Sequence, residues 1–197
     1  MHEVRPARPD DARQLADMLA RAFASDPVSC YLFPDPARRA SSLRRFFGVQ
    51  LRRSYLVRGE VWVEQALQGA ALWIPPSPPR PGLSEVAVQL GLVGVFRRHL
   101  GVARRLARLL ASRHPRAVHY YLGTLGTEPA CQRRGIASAL LAPVLARCDA
   151  TGIPVYLESS REENVRFYEA RGFGVIETVD VPGGPRLWLM WRAPVAG

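Results

Sequence analysis

The residues whose types and spacing promise chemistry are Gln132-Arg133-Arg134-Gly135-Ile136-Ala137. They fall between a strand-like run, Tyr120–Thr127, and a helix-like run, 138–150. A strand that turns tightly through a glycine into a helix leaves unpaired backbone N–H groups at the positive end of the helix dipole, a cradle for anions. Two arginines inside the turn add planar donor forks suited to phosphate oxygens. Two familiar phosphate loops are excluded. G-x-x-x-x-G-K-[ST] needs a lysine, and the chain has none; G-x-G-x-x-G needs three glycines where only Gly135 stands. On these residues alone, a phosphate site and an ordinary turn with solvated arginines both remain open.

The elements that must position this turn are legible around it. Residues 4–8 suit a short first strand, and Asp10-Asp11 precede Leu15, Leu19 and Phe23 at helical spacing. Asp26-Pro27 and Phe33-Pro34-Asp35-Pro36 break that helix and start another through Leu43, Phe46, Phe47 and Leu51. Residues 61–64 and 70–74, separated by Gln68-Gly69, read as a hairpin. Five prolines within 75–82 predict a stiff loop. Residues 85–113 read as helical, either a pair packed over the sheet, an arginine-rich amphipathic stretch on a membrane surface, or a wall of a substrate pocket. Farther on come a strand at 120–126, a helix at 136–150 with Pro143 predicting a bend, and a strand at 155–158. A short helix at 162–170 is capped by Gly172, and strands at 173–179 and 186–192 are joined by a hairpin loop at 181–185. Strands alternating with helices predict a mixed α/β sheet.

Composition narrows the function classes. A chain of 197 residues that is 48% hydrophobic and 22% charged suits one globular domain. No apolar run approaches the ~20 residues that span a bilayer, and the first residues lack the apolar core of a signal peptide. Cys30, Cys131 and Cys148 have neither metal-ligand spacing nor an even count. Free thiols, a cytoplasmic location and no metal are the expectation. The net charge is +10, and every lysine-or-arginine position is arginine. The arginines are spread along the chain and no nucleic-acid module is recognisable, so an acidic cofactor is expected rather than DNA or RNA. No stable membrane association is expected.

Taken in order, Leu125-Gly126-Thr127-Glu128-Pro129, the 132–137 turn, and Asn164-Val165-Arg166-Phe167-Tyr168-Glu169-Ala170-Arg171-Gly172-Phe173 resemble the GNAT superfamily of acyl-CoA-dependent N-acyltransferases. There a strand ending V-x-P leads into [RQ]-x-x-G-x-[GA], and an N…(F/L)Y-E-x-x-G-F segment follows. The resemblance covers 115–192, with 84–114 as a helical insertion in a single domain of 1–197. The tail is most similar to puromycin N-acetyltransferase-like members, through 157–160, 164–173, Pro143 after Leu140-Leu141, and 181–188. Arg133 departs from the glycine of many relatives, and Ala137 from a final glycine. The resemblance implies a three-layer α/β fold (α+β in some schemes), with a mixed, mostly antiparallel sheet splayed between its fourth and fifth strands. It implies acetyl-CoA as co-substrate, a small-molecule amine as acceptor, and a monomer or homodimer. A peptide N-terminus or lysine side chain stays open as acceptor, as does an acyl-CoA-binding regulator without turnover.

Residue by residue, the resemblance assigns the cofactor to Leu125, Gly126 and Thr127 on the splayed strand, and to Gln132, Arg133, Arg134, Gly135, Ile136, Ala137 and Ser138 in the turn. Asn164 joins them or caps its own helix. Tyr168 is the residue facing the departing thiol. Tyrosine near 10 and a thiol near 8.5 make full proton transfer uphill by about 2 kcal/mol, so a hydrogen bond to the thiolate serves as well. An amine near 10 is about one part in a thousand neutral at pH 7, a cost of roughly 4 kcal/mol, so a base is wanted. Glu158 fits that role, ahead of His119 and Glu128, or it holds a cationic acceptor by charge. Tyr31, Phe33 and Trp73 are the expected acceptor-pocket walls.

Overall fold

The computed structural model describes residues 2–76, 91–96 and 99–195. Short alternating runs become seven strands: β1 Val4–Pro6, β2 Glu60–Glu64, β3 Gly69–Ile74, β4 Tyr120–Thr127, β5 Val155–Ser159, β6 Gly174–Asp180 and β7 Arg186–Arg192. They form one sheet in the order β1-β2-β3-β4-β5-β7-β6. Every neighbouring pair is antiparallel except β4 with β5, which is parallel.

Helices cover both faces. On one lie α1 Ala12–Ala22, α2 Pro27–Leu32, α3 Pro36–Gln50, its continuation through a π turn, Leu51–Tyr55, into α4 Leu56–Arg58, and α5 Leu100–Arg113. On the other lie α6 Ile136–Thr151 and α7 Glu163–Glu169. The Asp-Pro pairs do more than break a helix. Asp26 accepts from the Ser29 N–H (2.9 Å) and Asp35 from the Ala37 N–H (3.0 Å), so each caps a helix with proline in its first turn. The sequence reading expected one helix there; the two caps make two.

Part of the 85–113 reading, and most of the 75–82 loop, lies outside the described residues. Residues 91–96 are helical. In α5, Leu106 is buried, and Val102, Leu109 and Leu110 pack on the core while Arg104, Arg105 and Arg108 face solvent. This is a helix packed over the sheet. No described helix is long and apolar enough to cross a membrane. Pro143 sits inside α6, which runs unbroken through it.

The register of β4 sets the architecture of its free end. Its pairing with β3 slips between Leu72↔Thr124 and Trp73↔Leu122, leaving Gly123 as an extra residue. Such a bulge shifts the two-residue alternation. Tyr120 and Leu122 join the core under α6, and beyond the bulge Leu125 does so. A Cβ on Gly126 would meet Leu19 of α1 at 2.6 Å, so that position faces the opposite layer. Parallel pairing with β5 covers only Tyr120↔Val155, Tyr121↔Tyr156 and Leu122↔Leu157. After Leu122 the strands part, because β5 turns to pair with β7 from Val155 to Ser159.

At Gly123 a Cβ would overlap the Tyr55 hydroxyl, with Tyr55 Cζ next at 3.2 Å. The bulge and the π turn that carries Tyr55 are therefore fitted to each other. Gly123→Ala is expected to cost about 1–3 kcal/mol in chemical denaturation, as overpacking does. Adding Tyr55→Phe should recover most of that loss; strictly additive losses would show that the hydroxyl is not what the new methyl meets.

Candidate active site

The parting of β4 and β5 opens a cavity of about 620 Å³. Leu125, Gly126 and Thr127 of β4 form one side, Gln132, Arg133 and the first turn of α6 another, and Asn164, Phe167, Tyr168 and Arg171 a third. Among the described residues, no strand pairs with the β5 side of β4 beyond Leu122, so its polar groups there face the cavity.

The start of α6 is built from backbone. Gly135 is its N-cap, left-handed at φ 88°, and no side chain caps the helix. The first helical bond is Ala139 N–H to Gly135 O (3.0 Å). The N–H groups of Ile136, Ala137 and Ser138 thus remain as donors at a positive dipole end, on the cavity wall. Arg133 is left-handed too, at φ 61°, whereas Arg134 between them is not. Alternating hands of this kind turn successive N–H groups inward into an anion-binding nest. The conformation also explains why a glycine at position 133 is natural: arginine there carries a backbone cost of roughly 1–2 kcal/mol. Arg134 does not line the cavity. Its carbonyl accepts from His2 Nε2 (2.7 Å), which ties the start of the chain to the turn.

Tyr168 is buried at the cavity wall, its ring against Phe167 (5.2 Å) and Phe173 (5.7 Å). Burial holds its pKa well above the usual tyrosine value, and Arg171 opposes that only in part. The hydroxyl therefore keeps its proton and donates. Asn164 also faces the cavity, inside the first turn of α7; the N-cap is Glu162, so Asn164 is not the helix cap.

Glu158 lies on the other face of the sheet and does not line this cavity. Its Oε2 accepts from the Tyr121 hydroxyl (2.7 Å), and its Oε1 is 3.9 Å from His114 Nδ1. Burial, then the Glu158 charge, raise the pKa of both Tyr121 and Tyr55, so these phenols stay protonated around it. Burial, with a smaller contribution from His114, lowers that of His119. Glu128 is held by Arg21 through three contacts of 2.7–3.1 Å.

The three expected acceptor walls separate. Trp73 is fully buried under α6 in the core and borders neither cavity, so it cannot be a wall without repacking the sheet. Tyr31 donates to Pro182 O (3.1 Å), and its ring packs where a Gly184 Cβ would meet it at 3.0 Å; it borders neither cavity. Phe33 borders a second cavity of about 360 Å³ together with Phe96, stacked on it at 5.4 Å, and His99.

Sequence reasoning missed Arg171. Its guanidinium lies 3.6 Å over the Phe167 ring and donates to Ser138 Oγ and Phe167 O, joining the end of α7 to the start of α6. The signal was available: Phe167 and Arg171 are four apart at the end of a helix. Arg161 was also missed. It donates to Ser25 O (2.7 Å) and Ser25 Oγ (2.9 Å), closing the cavity between α1 and α7.

Residues 106–173 match the Acetyltransferase (GNAT) family. The splayed seven-stranded sheet is the GNAT fold. A histone acetyltransferase HPA2 and related acetyltransferase from Corynebacterium glutamicum superposes with a TM-score of 0.76 and 27% identity, covering 100% of this chain and 99% of that one. An uncharacterized N-acetyltransferase of Schizosaccharomyces pombe is 28% identical over 176 residues, 83% of this chain and 70% of that protein. Arylalkylamine N-acetyltransferase 2 from Aedes aegypti shares the fold, with a TM-score of 0.62 over 97% of this chain and 98% of that one at 11% identity. The fold is thus that of GNAT proteins, and the sequence is similar to GNAT acetyltransferases over residues 106–173. Among the described residues no group of histidine, cysteine, aspartate and glutamate could hold a metal ion.

The left-handed Arg133 gives a direct test of the backbone of this turn. Arg133→Gly removes the strained φ and gives back part of the gain as unfolded-chain entropy. A net stabilisation of about 0.5–1 kcal/mol, or roughly 1–4 °C in melting temperature, is expected in thermal unfolding. A lower melting temperature would show that Arg133 is not strained there.

Proposed function

We propose that this chain transfers an acetyl group from acetyl-CoA to a primary amine of a small molecule by direct attack. One observation carries the reading: a single cavity brings together the donor-rich start of α6, the unpaired edge of β4 and the Tyr168 hydroxyl. These are the three things coenzyme A needs. Its pyrophosphate suits the N–H groups of 136–138 with Arg133, its pantetheine amides suit the β4 edge as an added strand would, and its thioester sulfur suits the tyrosine. When bound, acetyl-CoA would supply an activated acyl group.

The chain's own residues divide the remaining work. A backbone N–H of β4 near Leu125–Gly126 stabilises the carbonyl oxygen as it becomes negative, from a fixed position that costs no reorganisation. Tyr168 donates a hydrogen bond to the departing thiolate. With its pKa raised by burial, it acts as a donor more than as a source of a fully transferred proton. Glu158 takes the proton of the incoming amine. Arg171 holds the two helices that carry Tyr168 and the anion cradle in one geometry.

The small-amine acceptor rests on the similarity of 157–160, 164–173 and 181–188 to puromycin N-acetyltransferase-like members. One comparison protein is named for histone and another for arylalkylamine acetylation, so a peptide acceptor stays a real alternative. Of the expected wall residues, Phe33 is the one that meets open space, and we assign the second cavity to the apolar part of the acceptor.

Release of free CoA thiol from acetyl-CoA should appear with some primary amines of a panel and not without amine. Binding of acetyl-CoA with no turnover on any amine or peptide would instead make the chain a binding protein. Tyr168→Phe is expected to lower kcat about 10- to 100-fold, the worth of one hydrogen bond to a charged group, with the acetyl-CoA KM nearly unchanged. An undiminished kcat would overturn the tyrosine assignment.

A further inference from the structure

Glu158 has a problem that its surroundings answer. Its side chain is 10% exposed, so little of it meets water directly. His114 Nδ1 stands 3.9 Å from Glu158 Oε1, and the His114 side chain is 36% exposed. His114 is thus the titratable side chain that touches both the buried carboxylate and solvent. Behind it, His114 Nε2 meets His119 Nε2 at 3.1 Å, and His119 Nδ1 meets the Ala117 carbonyl at 2.6 Å.

These contacts fix the tautomers. A carbonyl oxygen only accepts, so His119 carries its proton on Nδ1 and, when neutral, accepts at Nε2. His114 must then donate from Nε2, and in its neutral form its Nδ1, 3.9 Å from Glu158 Oε1, is free to take a proton. The groups facing this pair agree with that arrangement. Tyr121 donates to the other oxygen of Glu158, the Tyr156 ring packs edge-on against both imidazoles, and Trp191 flanks His119. Tyr55, from the π turn, shares the Glu158 field as a protonated phenol. The nearby cation Arg113 is already held by Glu177.

We infer that His114, oriented by His119, relays the amine proton from Glu158 to solvent, an assignment that rests on the acetyl transfer proposed above. In the relay the ammonium N–H breaks as the Glu158 O–H forms. That O–H then breaks as His114 Nδ1–H forms, and the resulting imidazolium gives that Nδ1 proton to water from its partly exposed side chain, keeping Nε2–H toward His119. No electrons change hands, and Glu158 returns to its charged state for the next turnover. His114 acts through Glu158 and is a positioning residue.

Two measurements decide it. Nitrogen-15 spectra of histidine-labelled protein above neutral pH should show the Nε2–H tautomer for His114 and the Nδ1–H tautomer for His119. The reverse tautomer at His114 overturns the relay without any assay. In steady state, His114→Gln should lower kcat about tenfold or more, within the range general acid–base groups contribute, with the acetyl-CoA KM within about twofold. Free imidazole should restore much of the rate to His114→Ala. Unchanged kcat in His114→Gln sinks the relay while leaving acetyl transfer standing, and a loss that imidazole does not repair assigns His114 to structure alone. If the unmodified protein turns over no amine, the transfer and the relay fall together.

Discussion

The rest of the site depends on where β4 stops pairing with β5. Three parallel residue pairs hold the two strands together, and the fourth is refused. Two local features enforce the refusal. β5 is fully engaged on its other edge by β7 from Val155 to Ser159, so it follows β7. β4 carries the extra residue Gly123 immediately after Leu122, and the added right-handed twist of a bulge carries it away. Backbone polar groups that elsewhere would be satisfied by a ladder are left open on a cavity wall. An unpaired edge inside a folded domain is normally a liability; here it is short, concave and shielded by two helices.

The same logic of withheld partners recurs at the start of α6. A helix whose N-cap is glycine has no side chain to satisfy its first N–H groups, although serine or aspartate there would stabilise it by about 1 kcal/mol. Arg133 keeps a left-handed backbone where glycine would be cheaper. Both choices lower the stability of the free chain and raise the donor density of the cavity. Two other helix starts are capped by side chains. Asp26 and Asp35 cap their helices, and buried Arg192 pairs with Asp149 at 2.7 and 2.8 Å. The open backbone donors at the start of α6 therefore stand where a polyanion would lie.

Much of this was legible in the chain because it is local. The cradle follows from a strand, a glycine turn and a helix within twenty residues, and Tyr120–Thr127, Ile136–Thr151 and Glu163–Glu169 fall close to where periodicity and Gly/Pro punctuation put them. The α2 helix was missed because six residues show too little periodicity, although Asp26-Pro27 already spelled a cap followed by proline. The bulge was missed because one glycine within a strand pattern signals a bulge only weakly, and what requires it, Tyr55, is far away in sequence. Trp73 and Tyr31 were misplaced for a related reason: aromatic type says nothing about which face of a sheet a residue occupies. Their partners, the α6 core and the 181–185 loop, are long-range.

That question of faces bears on how the two catalytic candidates can cooperate. Tyr168 belongs to the layer under α6 and α7, whereas Glu158 follows Tyr156 and Leu157 in strict alternation and so points into the layer of α1 and the π turn. An intact sheet would separate them completely, since backbone ladders leave no passage between layers. The ladder ends after Leu122, and Glu158 is placed one residue beyond the last parallel pair, Leu122↔Leu157. In the proposed reaction, a donor lying along the β4 edge would be approached by Tyr168 from one layer and by an amine under Glu158 from the other. Proton release and thiolate departure in that reaction would fall on opposite faces, with the tyrosine kept protonated by burial and the carboxylate beside the histidine pair. In the proposed transfer, one extra glycine, by ending the β4–β5 pairing at that residue, would let the two groups serve the same reaction from opposite faces.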